Sequence, residues 1–355
     1  MVDIAHKKVF VALSGGVDSS VSAGLLKGDG YEVTGVFMNV WQPDFLECSR
    51  GDDRREAMRA AAHLGIPFLV FDFEDAYKEH VVDYMVSEYK KGRTPNPDVM
   101  CNKYIKFGLF YNKAREMGAD YIATGHYART TKEGALLRGV DSEKDQSYFL
   151  WAVKSDQLSH TLFPVGGYTK KEVRTMARMY ALPNASRKES QGVCFIGEFD
   201  MKKFLSHYIP KREGSVLNEE GEAIGWHEGA FFLTLGQRHG FTITQKTPNE
   251  TPYYIVKKDI ENNTITVLHK KDQKAYAQKK VALEGVSFIS GMTPLLSQGY
   301  RARVRYRQPL QDCFLEEGID GSYTVIFNEP QITISEGQSV VFYDGETCLG
   351  GGIIT

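Results

Sequence analysis

The chain predicts an α/β protein: a doubly wound parallel sheet in an N-terminal domain, followed by two small β-rich modules, the last a β-barrel. Three observations predict it. Short apolar runs of strand character alternate with helical runs through the first 126 residues, as in parallel sheets that bind ligands at the carboxyl ends of their strands. From Gly214 onward, glycines, short β-rich runs and Asn/Asp turns replace that alternation. At 355 residues the chain is also too long for one ordinary core. The expected domains are residues 1–200, 201–278 and 279–355.

Taken in order, residues 9–13 form an apolar, β-branched-rich run, a strand buried on both faces. Ser14-Gly15-Gly16 stops it, and residues 17–27 continue as an amphipathic helix. Residues 32–38 read as a second strand, and a polar loop with Cys48 leads to a helix over 54–64. A third strand is expected at 67–72 and a helix at 76–91. Residues 92–101 contain Pro95 and Pro97, which should hold them extended and non-helical until a helix at 103–117. Residues 121–126 end the alternation as a strand and turn. The segment 14–20, Met38 and Gly125-His126 therefore all fall at strand ends, where one pocket could hold them. Farther on, 221–240 and 253–269 read as hairpins, and 281 to the end as the barrel.

With 42% hydrophobic and 25% charged residues, the composition is that of an ordinary soluble protein. No apolar run is long enough to span a membrane, and the first eight residues resemble no leader, so a cytoplasmic protein without membrane association is expected. The five cysteines (48, 101, 194, 313 and 348) form no Cys-x-x-Cys pair, which argues against a structural zinc, an iron–sulfur cluster or a disulfide scaffold. A net charge of −2 gives no global attraction to nucleic acid, so any such binding needs local basic surfaces. Two are candidates. Arg301, Arg303, Arg305 and Arg307 alternate, so on one strand they would form a comb for phosphates, or a solvated face paired with acidic neighbours. Lys170, Lys171, Arg174, Arg178, Arg187 and Lys188 form the other, a solvated helix face or an RNA contact.

Strand, glycine turn and helix at residues 9–27 place free amides at a helix N-terminus, an anion site to which Ser14, Ser19 and Ser20 can add hydroxyls. Asp18 would repel phosphate unless a cation lies between, and Mg²⁺ would serve. A plain glycine turn is the simpler alternative. The string at 14–19, Ser-Gly-Gly-Val-Asp-Ser, resembles the PP-loop of ATP pyrophosphatases, and no Lys follows the glycines as it would in Walker A.

Two cysteines sit in distinctive contexts: Cys101 after Asn96-Pro97-Asp98, and Cys194 in Ser-Gln-Gly-Val-Cys-Phe-Ile at 190–196. Taken singly, each is more simply a buried, inert thiol. Together with 123–126, 144–148, 233–238, 305–308 and 337–339, they make the chain resemble the tRNA-specific 2-thiouridylases from end to end. That resemblance implies a PP-loop, HUP-like N-terminal domain and ATP-dependent replacement of the wobble uridine C2 oxygen by sulfur. ATP would bind at Ala12, Leu13, Ser14, Gly15, Gly16, Val17, Asp18 and Ser19, with Met38 and Gly125 near the adenosine. Asn96, Pro97 and Asp98 would meet the target base, Asp98 as general acid/base. Cys194 would carry sulfur as a persulfide, Cys101 would help release it, and the two would close a transient disulfide. His126, Lys144, Asp145, Gln146, Tyr306, Arg307 and Gln338 would touch tRNA. The implied partners are the anticodons of tRNAs for Lys, Glu and Gln, and a sulfur-carrier protein. Rival readings are another PP-loop ligase, such as an argininosuccinate synthetase or a tRNA lysidine synthetase, and an RNA-binding protein with a degenerate nucleotide domain. The ligases do not need two cysteines in these contexts, and an intact Ser-Gly-Gly-Val-Asp-Ser together with Asp98 argues against the RNA-binding protein.

Overall fold

A computed structural model describes residues 6–45, 50–188, 201–244 and 251–355. Cys48 and Cys194 lie outside the described residues. The N-terminal half is built on a five-stranded parallel sheet. Its strands are β1 (Lys8–Ala12), β2 (Glu32–Asn39), β3 (Phe68–Asp72), β4 (Tyr121–Ala123) and, beyond a hairpin, β7 (Thr161–Leu162), in the order β3-β2-β1-β4-β7. Val9 and Val11 are fully buried on one face and Phe10 and Ala12 are buried on the other, as a strand covered on both faces requires. Helices α1 (Val17–Gly28) and α2 (Arg50–Leu64) follow the first two strands. Because β1 lies between β2 and β4, chain order reverses at its carboxyl end, where such sheets bind ligands.

The expected helix at 103–117 instead begins at Pro97, running through Pro97–Met100, a π-helical Cys101–Phe110 and Tyr111–Glu116. Pro97 occupies the first helical turn, where its missing N–H has no intrahelical partner to lose, so proline starts this helix rather than delaying it. Asp98 and Cys101 are therefore in the opening turns of a helix, not on the preceding loop. π-helical winding is uncommon and concentrates at functional sites.

The central module is a five-stranded sheet of β8 (Gly214–Leu217), β9 (Ala223–His227), β10 (Phe241–Ile243), β11 (Tyr253–Asp259) and β12 (Thr264–His269), ordered β10-β9-β8-β12-β11. Residues 253–269 form the expected hairpin. In the 221–240 segment, β9 pairs instead with β8 and β10. The C-terminal sheet contains β13 (Gln278–Phe288), β14 (Tyr300–Arg303), β15 (Gln311–Glu317), β16 (Tyr323–Gln331), β17 (Ser339–Asp344) and β18 (Thr347–Ile354). Pairing of β13 with both β16 and β18 closes these six strands into a barrel. A hairpin of the N-terminal half, β5 (Ala128–Thr130) and β6 (Leu136–Arg138), extends this sheet through β18.

The barrel is also tied to the N-terminal half by a buried ion pair. The Asp145 side chain is fully buried and accepts from Arg303 at 2.8 Å and Arg138 at 3.1 Å. It further accepts from the amides of Gly139 and Ser147 and from the Ser147 hydroxyl. Asp145→Ala would leave the Arg303 guanidinium buried and unpaired, a loss of about 3–5 kcal/mol. Urea unfolding is the measurement, and a loss below about 1 kcal/mol would place the Arg303 charge in solvent.

The arginine comb does not form. Strand β14 ends at Arg303, and Arg307 lies in a turn with φ +64°. Arg301 and Arg303 share the barrel's outer face, but the N-terminal half covers Arg303 while Arg301 stays exposed. Arg305 donates to the carbonyls of Leu235 and Thr333 and to the Ser335 hydroxyl, joining the two β modules.

Candidate active site

The loop between β1 and α1 supplies the best-formed anion site. Gly16 is the N-cap of α1 and offers no side-chain cap, so the first-turn amides are left for another acceptor. Gly15 has φ +78°, and a Cβ there would collide with the Asp53 carbonyl on α2. The serine hydroxyls brace the loop: Ser19 Oγ and Ser20 Oγ donate to the Gly16 carbonyl at 3.1 and 3.0 Å, and Ser19 Oγ accepts from the Ser14 amide. Gly125 packs against the loop, because a Cβ there would lie 2.7 Å from Ser19 N and 2.9 Å from the Asp18 carbonyl carbon. Both are backbone atoms of a helix start, which cannot retreat.

A segment distant in sequence buttresses this loop. Buried Asn184 donates from Nδ2 to the carbonyls of Gly15 and Gly16 at 2.9 and 3.2 Å and to Ser20 Oγ at 2.9 Å. Arg187 donates to the Gly15 carbonyl at 3.1 Å and pairs with Asp53. Arg174 in turn holds the carbonyls of Ala185 and Arg187. Two of the six residues of that basic cluster, Arg174 and Arg187, are thus internal scaffolding. Asn184→Ala should lower stability by about 1–3 kcal/mol, because the two N–H groups shared among its three acceptors are lost. An unchanged thermal midpoint would show that the loop holds its shape without Asn184.

Asp18, expected to need a cation, already has one. Lys170 Nζ lies 2.7 and 2.8 Å from its two carboxylate oxygens, and the Tyr127 hydroxyl donates at 2.9 Å. Lys170 opens the helix Lys170–Met179, an N-terminal position that the helix dipole disfavours for a cation. The carboxylate of Asp18 compensates. Asn184, Arg187, Lys170 and Tyr127 were not identified as loop partners from sequence, because no local pattern links them to residues 14–20.

Met38 is 1% exposed, so its side chain belongs to the core and leaves a ligand only the main chain at the end of β2. His126 is buried, with Nδ1 2.7 Å from Thr124 Oγ1 and Nε2 3.3 Å from Lys106 Nζ. Burial, reinforced by the Lys106 charge, pushes its pKa well below the usual value, so the ring is neutral at pH 7.

Asp98 is half-buried, and Cys101 is fully buried in the main core. Asn96 is buried and hydrogen-bonded to Tyr148, whose hydroxyl donates to the Ser339 carbonyl at 2.9 Å. Next to Cys101, Asn102 Nδ2 donates to the Phe149 carbonyl at 2.9 Å. The Phe149 ring packs on Tyr306 at 4.6 Å, and the Arg307 guanidinium lies 5.2 Å from the Tyr306 ring. Lys144 is near enough to act on the Tyr306 hydroxyl. An aromatic and cationic surface of Lys144, Tyr306 and Arg307 is therefore connected, through Phe149, to the helix of Cys101. Such surfaces suit stacked bases and phosphates.

Other expected RNA contacts are engaged within the chain. Asp145 is buried in its ion pair, so its carboxylate does not face a ligand. Gln146 Oε1 accepts from the Tyr127 amide at 2.9 Å, and Gln338 Nε2 donates to the Thr94 carbonyl at 2.8 Å.

Residues 7–198 match the family model described as the tRNA methyl transferase HUP domain. Residues 202–269 match the tRNA methyl transferase PRC-barrel domain, and 278–354 the aminomethyltransferase beta-barrel domain. The chain is 44% identical to the tRNA-specific 2-thiouridylase MnmA of Francisella tularensis subsp. novicida (strain U112), over 98% of this chain and 99% of that one. The protein of the same name from Francisella tularensis subsp. holarctica (strain FTNF002-00 / FTA) matches with the same identity and coverage. A solved 4-thiouridine synthetase–RNA complex with bound ATP is 19% identical, with a TM-score of 0.37, covering 57% of this chain and 50% of that one. On its full-length match, the chain belongs to the tRNA-specific 2-thiouridylase family.

Proposed function

We propose that the chain catalyses ATP-dependent 2-thiolation of the wobble uridine of tRNA. The full-length relationship to the 2-thiouridylases carries this reading. The uncapped start of α1, with Lys170 beside it, supports a polyphosphate at residues 12–19, with Met38 and Gly125 bounding the adenosine. Among the described residues no group of three or more His, Cys, Asp or Glu side chains could hold a metal. Mg²⁺ needs none: one or two carboxylates suffice when phosphate oxygens and water complete its shell, and Asp18 would be that carboxylate, sharing its oxygens with Lys170 and Tyr127. Bound there, Mg²⁺ would offset phosphate charge.

The C2 oxygen of uracil is a poor leaving group, and its attack on the ATP α-phosphate releases diphosphate and turns it into a good one. Asp98, beside Asn96 and Pro97, serves as general acid/base for the base held there. The outer sulfur of a Cys194 persulfide then attacks C2, and AMP departs with the former C2 oxygen. The Cys101 thiolate attacks the inner sulfur, so the sulfur–sulfur bond to the base breaks and 2-thiouridine leaves. The Cys101–Cys194 disulfide that remains takes two electrons from an external thiol, and a sulfur-carrier protein reloads Cys194. Cys101 is fully buried, so this step requires the opening turns of its helix to rearrange on RNA.

His126, Lys144, Gln146, Tyr306, Arg307 and Gln338 are the residues assigned to RNA; of these Arg307 is exposed, His126 is buried and the others are half-buried. The tRNAs are those for Lys, Glu and Gln. We assign residues 1–200 to the catalytic unit, 201–278 to the central module and 279–355 to the barrel. Among the described residues no helix is long and apolar enough to cross a membrane, which is compatible with action in the cytoplasm. The test is incubation with ATP, Mg²⁺, tRNA and a sulfur source, followed by mass spectrometry of the nucleosides. ATP-dependent 2-thiouridine is expected, and AMP formation without sulfur incorporation would favour another adenylating ligase.

A further inference from the structure

Residues 92–96, which lead into the helix of Asp98 and Cys101, are held from outside the N-terminal half. From the barrel side, Arg93 is paired with Glu284 and donates to the Ile354 carbonyl at 3.2 Å. The Thr94 amide donates to the Glu336 carbonyl at 2.8 Å, and Gln338 Nε2 holds the Thr94 carbonyl. From the central module, the Thr234 hydroxyl lies 3.2 Å from that of Thr94. A further tie is a cation. Lys258 on β11 donates from Nζ to the Gly92 carbonyl at 2.7 Å and the Leu233 carbonyl at 2.8 Å. One ammonium thus bonds both sides of the seam between the catalytic segment and the central module.

Burial pushes Lys258 down from 10.5 to about 8, with the Glu336 charge opposing the shift. The other charged groups around the seam have partners of their own. Arg93 is paired with Glu88 and Glu284, and Arg305 is bonded to Leu235, Thr333 and Ser335. A lysine whose pKa is lower folded than unfolded makes the fold more stable as pH rises from about 8 to 10.5. Below that window the ammonium is therefore carried at a cost to the fold. A cation kept at such a cost, bonded from β11 to the segment that leads into the helix of Asp98 and Cys101, points to use rather than to packing.

We infer that Lys258 is a positioning residue for thiolation: it clasps the Gly92 carbonyl to the central module and thereby sets where Asp98 and Cys101 stand. The inference rests on the assignment of Asp98 and Cys101 to the chemistry. A displacement of about 1 Å in a catalytic group can cost on the order of 10²-fold in rate. Loss of the clasp should therefore lower kcat without weakening ATP, whose loop is braced by Asn184 and Arg187 instead.

The experiment compares full-length wild type, Lys258→Met, Lys258→Arg and Asp98→Asn. Deuterium exchange of the 92–101 peptide should rise in Lys258→Met while exchange across β1 and α1 stays unchanged. In the same variant, kcat for 2-thiouridine should fall by roughly 10-fold or more, with KM for ATP within about twofold of wild type. Lys258→Arg, which keeps a cation able to reach two carbonyls, should restore most of kcat. Unchanged exchange at 92–101, or a kcat and KM that deteriorate together with exchange rising everywhere, would overturn the clasp. So would a normal kcat in Lys258→Met alongside an inactive Asp98→Asn. If Asp98→Asn itself turns over normally, the catalytic assignment fails instead, and the exchange measurement still decides whether Lys258 holds the segment.

Discussion

Cys194→Ser is expected to release diphosphate in a tRNA-dependent step, for at least one turnover, and to make no 2-thiouridine. The two half-reactions use different groups. Adenylation needs the amides and hydroxyls of residues 14–20 and a positioned C2 oxygen, and no thiol takes part. Sulfur transfer needs a carrier that forms a persulfide, which a hydroxyl cannot replace because oxygen does not accept sulfane sulfur. The companion variant separates the two cysteines. In Cys101→Ser the persulfide still attacks the adenylated base, but no thiolate is left to cleave the resulting bond to Cys194. The tRNA should therefore stay attached to the protein and be released by an added thiol. Non-reducing gels read the adduct, and labelled ATP in a quenched single turnover reads the adenylation. Wild-type thiolation by Cys194→Ser would remove that cysteine from the reaction. Free 2-thiouridine at the normal rate from Cys101→Ser would assign the release to an external thiol.

Asp98→Asn is expected to lower turnover by ~10²–10⁴ while leaving tRNA affinity nearly unchanged. Asn matches Asp in shape and the N-cap, Asn96, is untouched, so the helix starting at Pro97 should remain at a small cost in dipole stabilisation. What disappears is a proton acceptor and donor beside the base. An undiminished rate would exclude Asp98 from the proton transfers. Loss of tRNA binding together with rate would recast it as a contact residue.

Where sequence and structure agree, the signal was local. The run at β1 and the Ser-Gly-Gly turn carry their conformation in adjacent residues, and the loop stands where expected, at the end of β1. The barrel was legible as turns and short alternating runs, although its closure through β13 and β18 was not. Other features depend on distance. Asn184 and Lys170 meet the loop across 169 and 152 positions respectively, and nothing near them in sequence announces it. Strands of two or three residues, such as β5, β6 and β7, are too short to show a period. Pro97 misled because proline both blocks a helix interior and favours a helix start, and only tertiary context chooses. The arginine row misled for a related reason: period two implies a shared face only while the strand lasts, and β14 stops at Arg303.

The central claim is that one site couples ATP cleavage to insertion of sulfur at the wobble uridine. The most direct measurement is a quenched single turnover of the full chain with loaded Cys194, labelled ATP and unmodified tRNA, followed by nucleoside mass spectrometry. The account predicts AMP, diphosphate and 2-thiouridine in equal amounts, with the sulfur at the wobble position and nothing thiolated when ATP is omitted. Sulfur appearing without ATP cleavage, or AMP accumulating while the wobble uridine keeps its oxygen, would contradict it.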